Sequence, residues 1–340
     1  MIHERGEENG PSHALSLSNN SAISTTGVGP LPAIILRAGD DAVRRFVEFF
    51  AATIRNRNTR AAYAQGIGQF CAWCEGRQLG RQLGLHEVTA VIVAAYIEEL
   101  TTRRSAPTVK QHLAAIRMLF NWLVTGHVVR INPGWSVRGP RHVVKKGKTP
   151  VLTAAEARQL LDSIDTSTLI GLRDRALIGL MCYSFARVSA VIGMNVEDYY
   201  QQGKRSWIRL HEKGGKFHEV PAHHNAEAYL DEYLAAAGIS DRKAPLFRSA
   251  GGKVHSLGLQ RMSRTDVLRM VKRRALAAGI SAERICCHTF RATGITAYLE
   301  NGGTIENAQA IAAHESPRTT KLYDRTTDAI TLDEVERIAI

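Results

Sequence analysis

Four short stretches in the second half of the chain hold residue types suited to phosphate chemistry. His288-Thr289-Phe290-Arg291 sets an imidazole and a guanidinium three positions apart, which on a helix is one face. So placed, the arginine can clamp a phosphate with its forked N–H donors while the histidine carries a proton. Tyr323 follows nine residues after His314, with Ser316 and Pro317 between them to start a short helix on which the tyrosine lies two turns along. Arg187 stands just after the apolar run Ala176 to Tyr183. Lys213-Gly214-Gly215-Lys216 separates two β-like runs, Ser206 to His211 and Phe217 to Val220, and its Gly-Gly pair predicts a tight hairpin turn. A lysine at such a tip can swing into a DNA groove and meet a backbone oxygen. Each stretch alone has an ordinary reading: a surface arginine, a solvated turn, a capping histidine, a packing tyrosine.

The elements that must position these residues are mostly helices. Residues 1 to 38 are rich in Ser, Asn, Gly and Pro without periodicity, and predict a disordered or loosely docked arm. From Asp40 a first helix shows Phe46, Phe49 and Phe50 on its apolar face. A second runs from Thr59 to Gly76 and a third from Thr89 to Leu100. The fourth is the clearest, with Ser105 as cap, Pro107 in its first turn, Gly126 at its end, and Val109, Leu113, Ile116, Phe120 and Leu123 as a buried stripe. Asn132 to Pro150 has the composition of a basic linker. Thr153 and Glu156 have the spacing of a capping box and open a second domain. The expected organisation is an arm (1–38), a helical domain (39–135), a basic linker (136–150) and a second domain (151–340) of helices interrupted by one hairpin.

The chain has 340 residues, a formal net charge of +12 and a pI near 9.7. The charge is clustered: from Thr101 to Lys148 there are ten Lys or Arg and no Asp or Glu. Such a stretch favours a polyanionic partner, because each neutralised phosphate releases condensed counterions. We expect phosphate contacts from Arg103, Arg104, Lys110, Arg117, Arg141, Lys145, Lys146 and Lys148, and from Lys216 on the hairpin. No run of 18 apolar residues occurs, so no membrane span is expected. Glu4, Glu7 and Glu8 do not suit a signal peptide. Together with five cysteines, an odd number, this suggests a reducing, cytoplasmic compartment. Cys71 and Cys74 form a CxxC inside a helical run with no second pair, which favours two buried helix cysteines over a metal site. No Asp/Glu cluster with metal-binding spacing stands near the four stretches.

Taken together the four stretches are far more specific than any one. An Arg, then a Lys on a hairpin, then HxxR, then His, then Tyr nine residues on, resembles the tyrosine recombinase (phage-integrase) family, with Ile285 to Tyr323 matching almost without gaps. Gly171 to Leu177 is similar to the helix that leads to the family's first arginine, and the four N-terminal helices resemble its core-binding, SAM-like domain. The resemblance implies a mainly α, two-domain DNA clamp: a helical core-binding domain, and a mixed, mainly α catalytic domain with a small β-hairpin or sheet.

It further implies a site-specific recombinase that cleaves and rejoins DNA through a 3′-phosphotyrosine intermediate with no metal, ATP or other cofactor. Four protomers would act on two duplexes, among nucleoid DNA. Tyr323 would be the nucleophile, His288 the base, Arg187, Arg291 and His314 the stabilising donors, and Lys213 the acid. The segment Thr331 to Ile340, with Leu332, Val335, Ile338 and Ile340, would dock on its own domain or a neighbour's. Two departures stand out. The family's usual acid three positions after the first arginine is here Ala190, so Glu197 or Asp198 is expected to substitute or Arg187 to be held less rigidly. Before His314 the family often has Leu-Gly, and here Ala312-Ala313, a change expected to matter little. The rivals are a type IB topoisomerase, which shares the catalytic set, and a non-catalytic DNA-binding architectural protein. The separate helical domain and apolar tail favour a recombinase over the first, and the complete residue set argues against the second.

Overall fold

The computed structural model describes residues 30–76, 82–142, 147–212, 215, 217–251 and 256–324. The chain divides into two compact units, Met1–Val143 and Val144–Ile340.

In the first unit the described helices are α1 (Asp40–Glu48), α2 (Arg57–Gly76), α3 (Ala90–Arg103) and α4 (Ala106–Thr125). Asp40 and Asp41 sit in the first turn of α1, where acidic side chains complement the helix dipole. The helix continues into a π-helical turn, Phe49–Thr53, which buries Phe49 and Phe50 beside Phe46. α4 starts after Ser105, carries Pro in its first turn and stops at Gly126. All five residues of its expected stripe are buried. Trp122 of α4 donates to the Arg45 carbonyl at 2.9 Å, which ties α4 to α1. Cys71 and Cys74 are free and buried, and burial pushes the Cys74 thiol up to about 12.

Two features differ from the sequence expectation. Ordered packing begins before Asp40: a helical turn, Ala33–Leu36, buries Ile34 and Ile35, and the Ile34 N–H donates to Glu75 Oε1 at 2.8 Å. Apolar residues so close to a Gly-Pro-rich stretch give no periodicity to read. The start of the expected linker is also packed, with Val137 buried and its carbonyl accepting from Arg117.

In the second unit the described helices are α5 (Ala154–Asp162), α6 (Leu169–Tyr183), α7 (Val188–Gly193), α8 (His224–Ala237), α9 (Arg264–Ala277), α10 (Cys287–Glu300), α11 (Ile305–Ile311) and α12 (Pro317–Lys321). The strands are β1 (Tyr199–Gln202), β2 (Arg205–His211), β3 (Phe217–Pro221), β4 (Arg248–Ala250) and β5 (Leu257–Arg261). β1, β2 and β3 form an antiparallel sheet in that order, and β4 pairs with β5. Thr153 caps α5 by accepting from the Glu156 N–H at 3.1 Å while Glu156 bonds back to the Thr153 N–H at 2.8 Å. α6 runs through the centre of the unit, packed against α8 and α10. α10 comes so close that a Cβ on Gly294 would lie 2.0 Å from the Cys182 carbonyl oxygen of α6.

The two expected β-like runs pair with each other as β2 and β3. The register Gln202↔Arg205 places a two-residue turn at Gly203-Lys204, whereas His211↔Phe217 leaves residues 212–216 between β2 and β3. Lys213, Gly214 and Lys216 of the expected turn lie outside the described residues. The sequence reading also missed β1, whose Tyr-Tyr-Gln-Gln has little alternation, and the short β4–β5 pair.

One buried charge holds α6 to α9. Asp174 is fully buried and accepts from Arg173 Nε and Nη2 at 3.0 and 2.6 Å, and from Arg274 Nε and Nη2 at 3.0 and 2.8 Å. Removing this carboxylate would leave the buried Arg173 guanidinium uncompensated. Asp174→Ala is expected to destabilise this unit by about 3–5 kcal/mol, measurable by urea unfolding of the full chain followed through a probe in residues 144–340. A loss under about 1 kcal/mol would show that the pair adds nothing beyond an exposed one.

Candidate active site

The site is assembled from helix ends. Arg187 occupies the N-cap of α7, just past the end of α6. Its Nη1 meets Glu212 Oε2 at 2.6 Å; the Arg187 side chain is 37% exposed and that of Glu212 9%. His288 and Arg291 lie in the first turns of α10, whose start is fixed by the Cys286 N–H donating to Thr289 Oγ1 at 3.1 Å.

Tyr323 lies just beyond α12, which ends at Lys321, and not two turns along a continuing helix. The Tyr323 N–H bonds the Thr320 carbonyl at 2.9 Å, an i to i−3 closure that ends the helix, and Thr296 Oγ1 donates to the Tyr323 carbonyl at 2.9 Å. These bonds aim the phenol at α10: its hydroxyl stands 3.0 Å from His288 Nε2. The His314 ring lies parallel to the Tyr323 ring, with 4° between the planes and 5.8 Å between the centroids. Thr320 Oγ1 holds His314 Nδ1 at 2.8 Å.

Arg291 is 1% exposed. Its Nη1 donates to the Phe185 carbonyl and its Nη2 to the Ala312 carbonyl at 2.6 Å, while its buried Nε has no hydrogen-bond partner. Burial, with Arg187 adding like-charge repulsion, lowers Arg291 to about 10. Desolvation and the arginines Arg291 and Arg187 hold His288 below the usual histidine range. The same causes, with His288 added, lower His314 to about 3. Both imidazoles are therefore neutral at physiological pH. A neutral imidazole facing a phenol hydroxyl can accept its proton, and guanidiniums nearby can hold a phosphate.

Five of the six expected catalytic residues, Arg187, His288, Arg291, His314 and Tyr323, thus converge. Lys213 lies outside the described residues, as do Lys145, Lys146, Lys216 and the segment Thr331 to Ile340. Among the expected DNA contacts, Arg103, Arg104, Lys110, Arg141 and Lys148 are exposed, with Arg103 paired to Glu99 at 2.9 Å. Arg117 differs: its guanidinium donates to the Gly134 carbonyl at 2.8 Å and to that of Val137, so it is occupied inside its own unit. Sequence reasoning missed Thr320, Thr296 and Glu212, because a hydroxyl or carboxylate that acts by tertiary contact leaves no spacing signal. Among the described residues no three or more His, Cys, Asp or Glu are grouped to hold a metal, and no helix is long and apolar enough to cross a membrane.

The change to Ala312-Ala313 matters more than the sequence suggested. α11 ends with the His314 N–H bonded back to the Gln309 carbonyl at 3.1 Å, and Ala313 takes φ +47°. That is the left-handed position at a helix C-terminus where glycine is unstrained.

Residues 150–329 match the phage integrase family, and residues 43–127 match the phage integrase N-terminal SAM-like domain. The chain is 30% identical over 268 residues to a protein named tyrosine recombinase XerC from Pelobacter propionicus, covering 78% of this chain and 84% of that one. In structure it resembles the XerH site-specific recombinase bound to its difH substrate, with a TM-score of 0.63 at 17% identity over 93% of this chain and 92% of that one. It also resembles lambda integrase in a tetramer bound to a Holliday junction, with a TM-score of 0.61 at 16% identity over 94% and 85% of the two chains. At these identities the structural likeness is one of fold.

Two predictions follow from this geometry. Ala313→Gly is expected to stabilise the second unit by about 1 kcal/mol by relieving a left-handed alanine, read as a rise in its thermal midpoint; a fall would show that the turn is unstrained. The second concerns pH. His314 is at about 3 when folded and near 6.5 when unfolded. Above pH 6.5 neither state binds the proton; below it the unfolded chain does and the folded chain does not. Stability is thus complete above the unfolded value and falls as pH drops from there toward 3, by up to about 1.4 kcal/mol per pH unit. His288 acts in the same direction. In His314→Gln the slope of stability against pH between 6.5 and 4.5 is expected to flatten by about one proton, and an unchanged slope would rule out the depressed value.

Proposed function

The chain belongs to the phage integrase family, the tyrosine recombinases, and from that premise we propose how the residues gathered at the site divide the work. The protein cleaves and rejoins DNA strands in site-specific recombination. In our reading the Tyr323 oxygen attacks the scissile phosphorus in line and its proton passes to His288 Nε2. The bond from phosphorus to the 5′ oxygen breaks, and Lys213 protonates the departing hydroxyl. The product is a 3′-phosphotyrosine. Rejoining reverses the step with a second 5′ hydroxyl as nucleophile, so the bond energy stays in the linkage.

Arg187 and Arg291 direct donors at the non-bridging oxygens as charge builds there. With Thr320 Oγ1 donating to Nδ1, the His314 proton sits on Nε2 and supplies a third donor. Each such donor contributes about 3 kcal/mol to the transition state in comparable sites. The observation that carries the reading is the 3.0 Å contact of Tyr323 hydroxyl and His288 Nε2, beside two arginines that lower the imidazole's proton affinity.

Residues 39–135 are proposed as the core-binding domain and 151–340 as the catalytic domain. Exposed Arg103, Arg104, Lys110, Arg141 and Lys148, with Lys145, Lys146 and Lys216, are proposed phosphate contacts; Arg117 is not. The active assembly is proposed to be a tetramer on two duplexes, as the lambda integrase tetramer on a Holliday junction suggests, and its place is inside the cell with the chromosomal DNA.

The deciding experiment uses Tyr323→Phe, which removes one hydroxyl and little packing. Adducts captured from host DNA with the wild-type chain identify a site by sequencing. On that duplex, nicked to trap the intermediate, the variant is expected to bind within about twofold of wild type, as one lost hydrogen bond allows, and to form no covalent adduct on a denaturing gel. An adduct in the variant would overturn the assignment of Tyr323.

A further inference from the structure

The first turn of α7 lacks an acid where one would serve. Arg187 is the N-cap, and the residue three positions on, at the place from which a side chain reaches back to the N-cap, is Ala190, 1% exposed in the core. A methyl group there offers no charge and accepts no hydrogen bond.

The carboxylates nearest in sequence do not fill the role. Asp198 is 3% exposed and engaged elsewhere: its Oδ2 accepts from the Asn195 N–H at 2.8 Å and lies 3.0 Å from His211 Nε2, and its Oδ1 faces Arg209 at 4.0 Å. Glu197 makes no ion pair with Arg187 among the described residues. The carboxylate in contact with Arg187 comes instead from the sheet. Glu212 follows the last residue of β2, and its Oε2 meets Arg187 Nη1 at 2.6 Å.

The geometry suits support rather than substrate contact. Glu212 is nearly covered, while the arginine keeps 37% of its side chain open to a ligand. The carboxylate is well anchored, since the preceding residue, His211, is bound to Asp198 and packs edge-on against Phe217 with centroids 4.8 Å apart. The next residue in the chain is Lys213. One carboxylate therefore orients Arg187 by an ion pair and is joined by a single peptide link to the lysine proposed as the acid.

Resting on the division of labour proposed above, we propose that Glu212 is the positioning residue of Arg187. It does from the end of β2 what an acid in the first turn of α7 would otherwise do. Arginine is a flexible side chain, and fixing its fork before the phosphate arrives favours the attacking geometry.

The test compares Glu212→Gln, Arg187→Lys and the double variant with the wild-type full-length chain, on the nicked duplex carrying the captured site. Single-turnover adduct formation, DNA binding and thermal midpoint are read for each. Glu212→Gln is expected to slow adduct formation about 10- to 100-fold, as misplacing a catalytic group does, with binding and midpoint close to wild type. In the Arg187→Lys background the same change is expected to have almost no further effect, because the group it orients is already gone. A wild-type rate in Glu212→Gln overturns the proposal. So does a full additional loss in the double variant, or a drop in midpoint large enough to account for the lost rate. A wild-type chain that forms no adduct overturns the reading of Tyr323 itself, and with it this one.

Discussion

The active site depends on one buried cation. The Arg291 guanidinium is 1% exposed, and a charge so placed costs several kcal/mol unless hydrogen bonds replace its water. Two backbone carbonyls do so, those of Phe185 and Ala312. Each belongs to a turn that ends two residues later in a side chain of the site: Phe185 leads to Arg187, and Ala312 to His314. The need to satisfy Arg291 therefore gathers the α6–α7 turn and the α11–α12 turn onto α10, which itself carries His288. A side chain expected from sequence to be a phosphate clamp is also the strut on which the other parts of the site are hung.

Among the described residues of the second unit, the non-glycine residues with positive φ lie at the same two turns. Phe185 and Ala313 have φ of +53° and +47°, in a region where a side-chain-bearing residue costs on the order of 1 kcal/mol or more. Surrounding packing over-determines both. The Phe185 ring is buried with Ile295, Leu299 and Tyr323 in a small apolar cluster, and Gly294 lets the α10 backbone come against the end of α6. Tyr323 belongs to that cluster through its ring while its hydroxyl reaches His288. An aromatic nucleophile suits this arrangement because its apolar body is held by packing while its polar tip meets the reacting groups.

How much of this was legible in the sequence follows from the range of each interaction. His288 and Arg291 share a helical face, and Ser105, Gly126, Thr153 and Glu156 mark helix ends by local rules, so these parts could be read directly. Glu212 could not: the contact it makes with Arg187 spans a strand and a helix junction, and no spacing announces it. The hairpin of β2 and β3 could be read from its two β-like runs, and the pairing of His211 with Phe217 follows their expected ends. The helix expected to carry Tyr323 stops at Lys321 because the Tyr323 N–H finds the Thr320 carbonyl, a choice made by tertiary packing and not by propensity. Ala313 is the reverse case. Its substitution for glycine was visible in sequence, but its cost became visible only with the backbone angle.

The electrostatics of the assembled site also say when the chemistry starts. Burial first, and then the charges of Arg291 and Arg187, keep protons off both histidines, so His288 and His314 are neutral imidazoles and the Tyr323 hydroxyl already meets one of them. Both causes lower the proton affinity of His288. A phosphodiester entering between the arginines brings a negative charge, which offsets the repulsion and favours the protonated imidazole. In the proposed mechanism the proton affinity of His288 would therefore rise with the anion in place, and transfer from the phenol would become easier. The same anion relieves the mutual repulsion of the two arginines, one of which is buried deeply enough for Arg187 to lower its proton affinity. In the proposed mechanism substrate binding and nucleophile activation would thus be coupled electrostatically, and Glu212, which offsets part of the Arg187 charge, would hold that arginine in place beforehand.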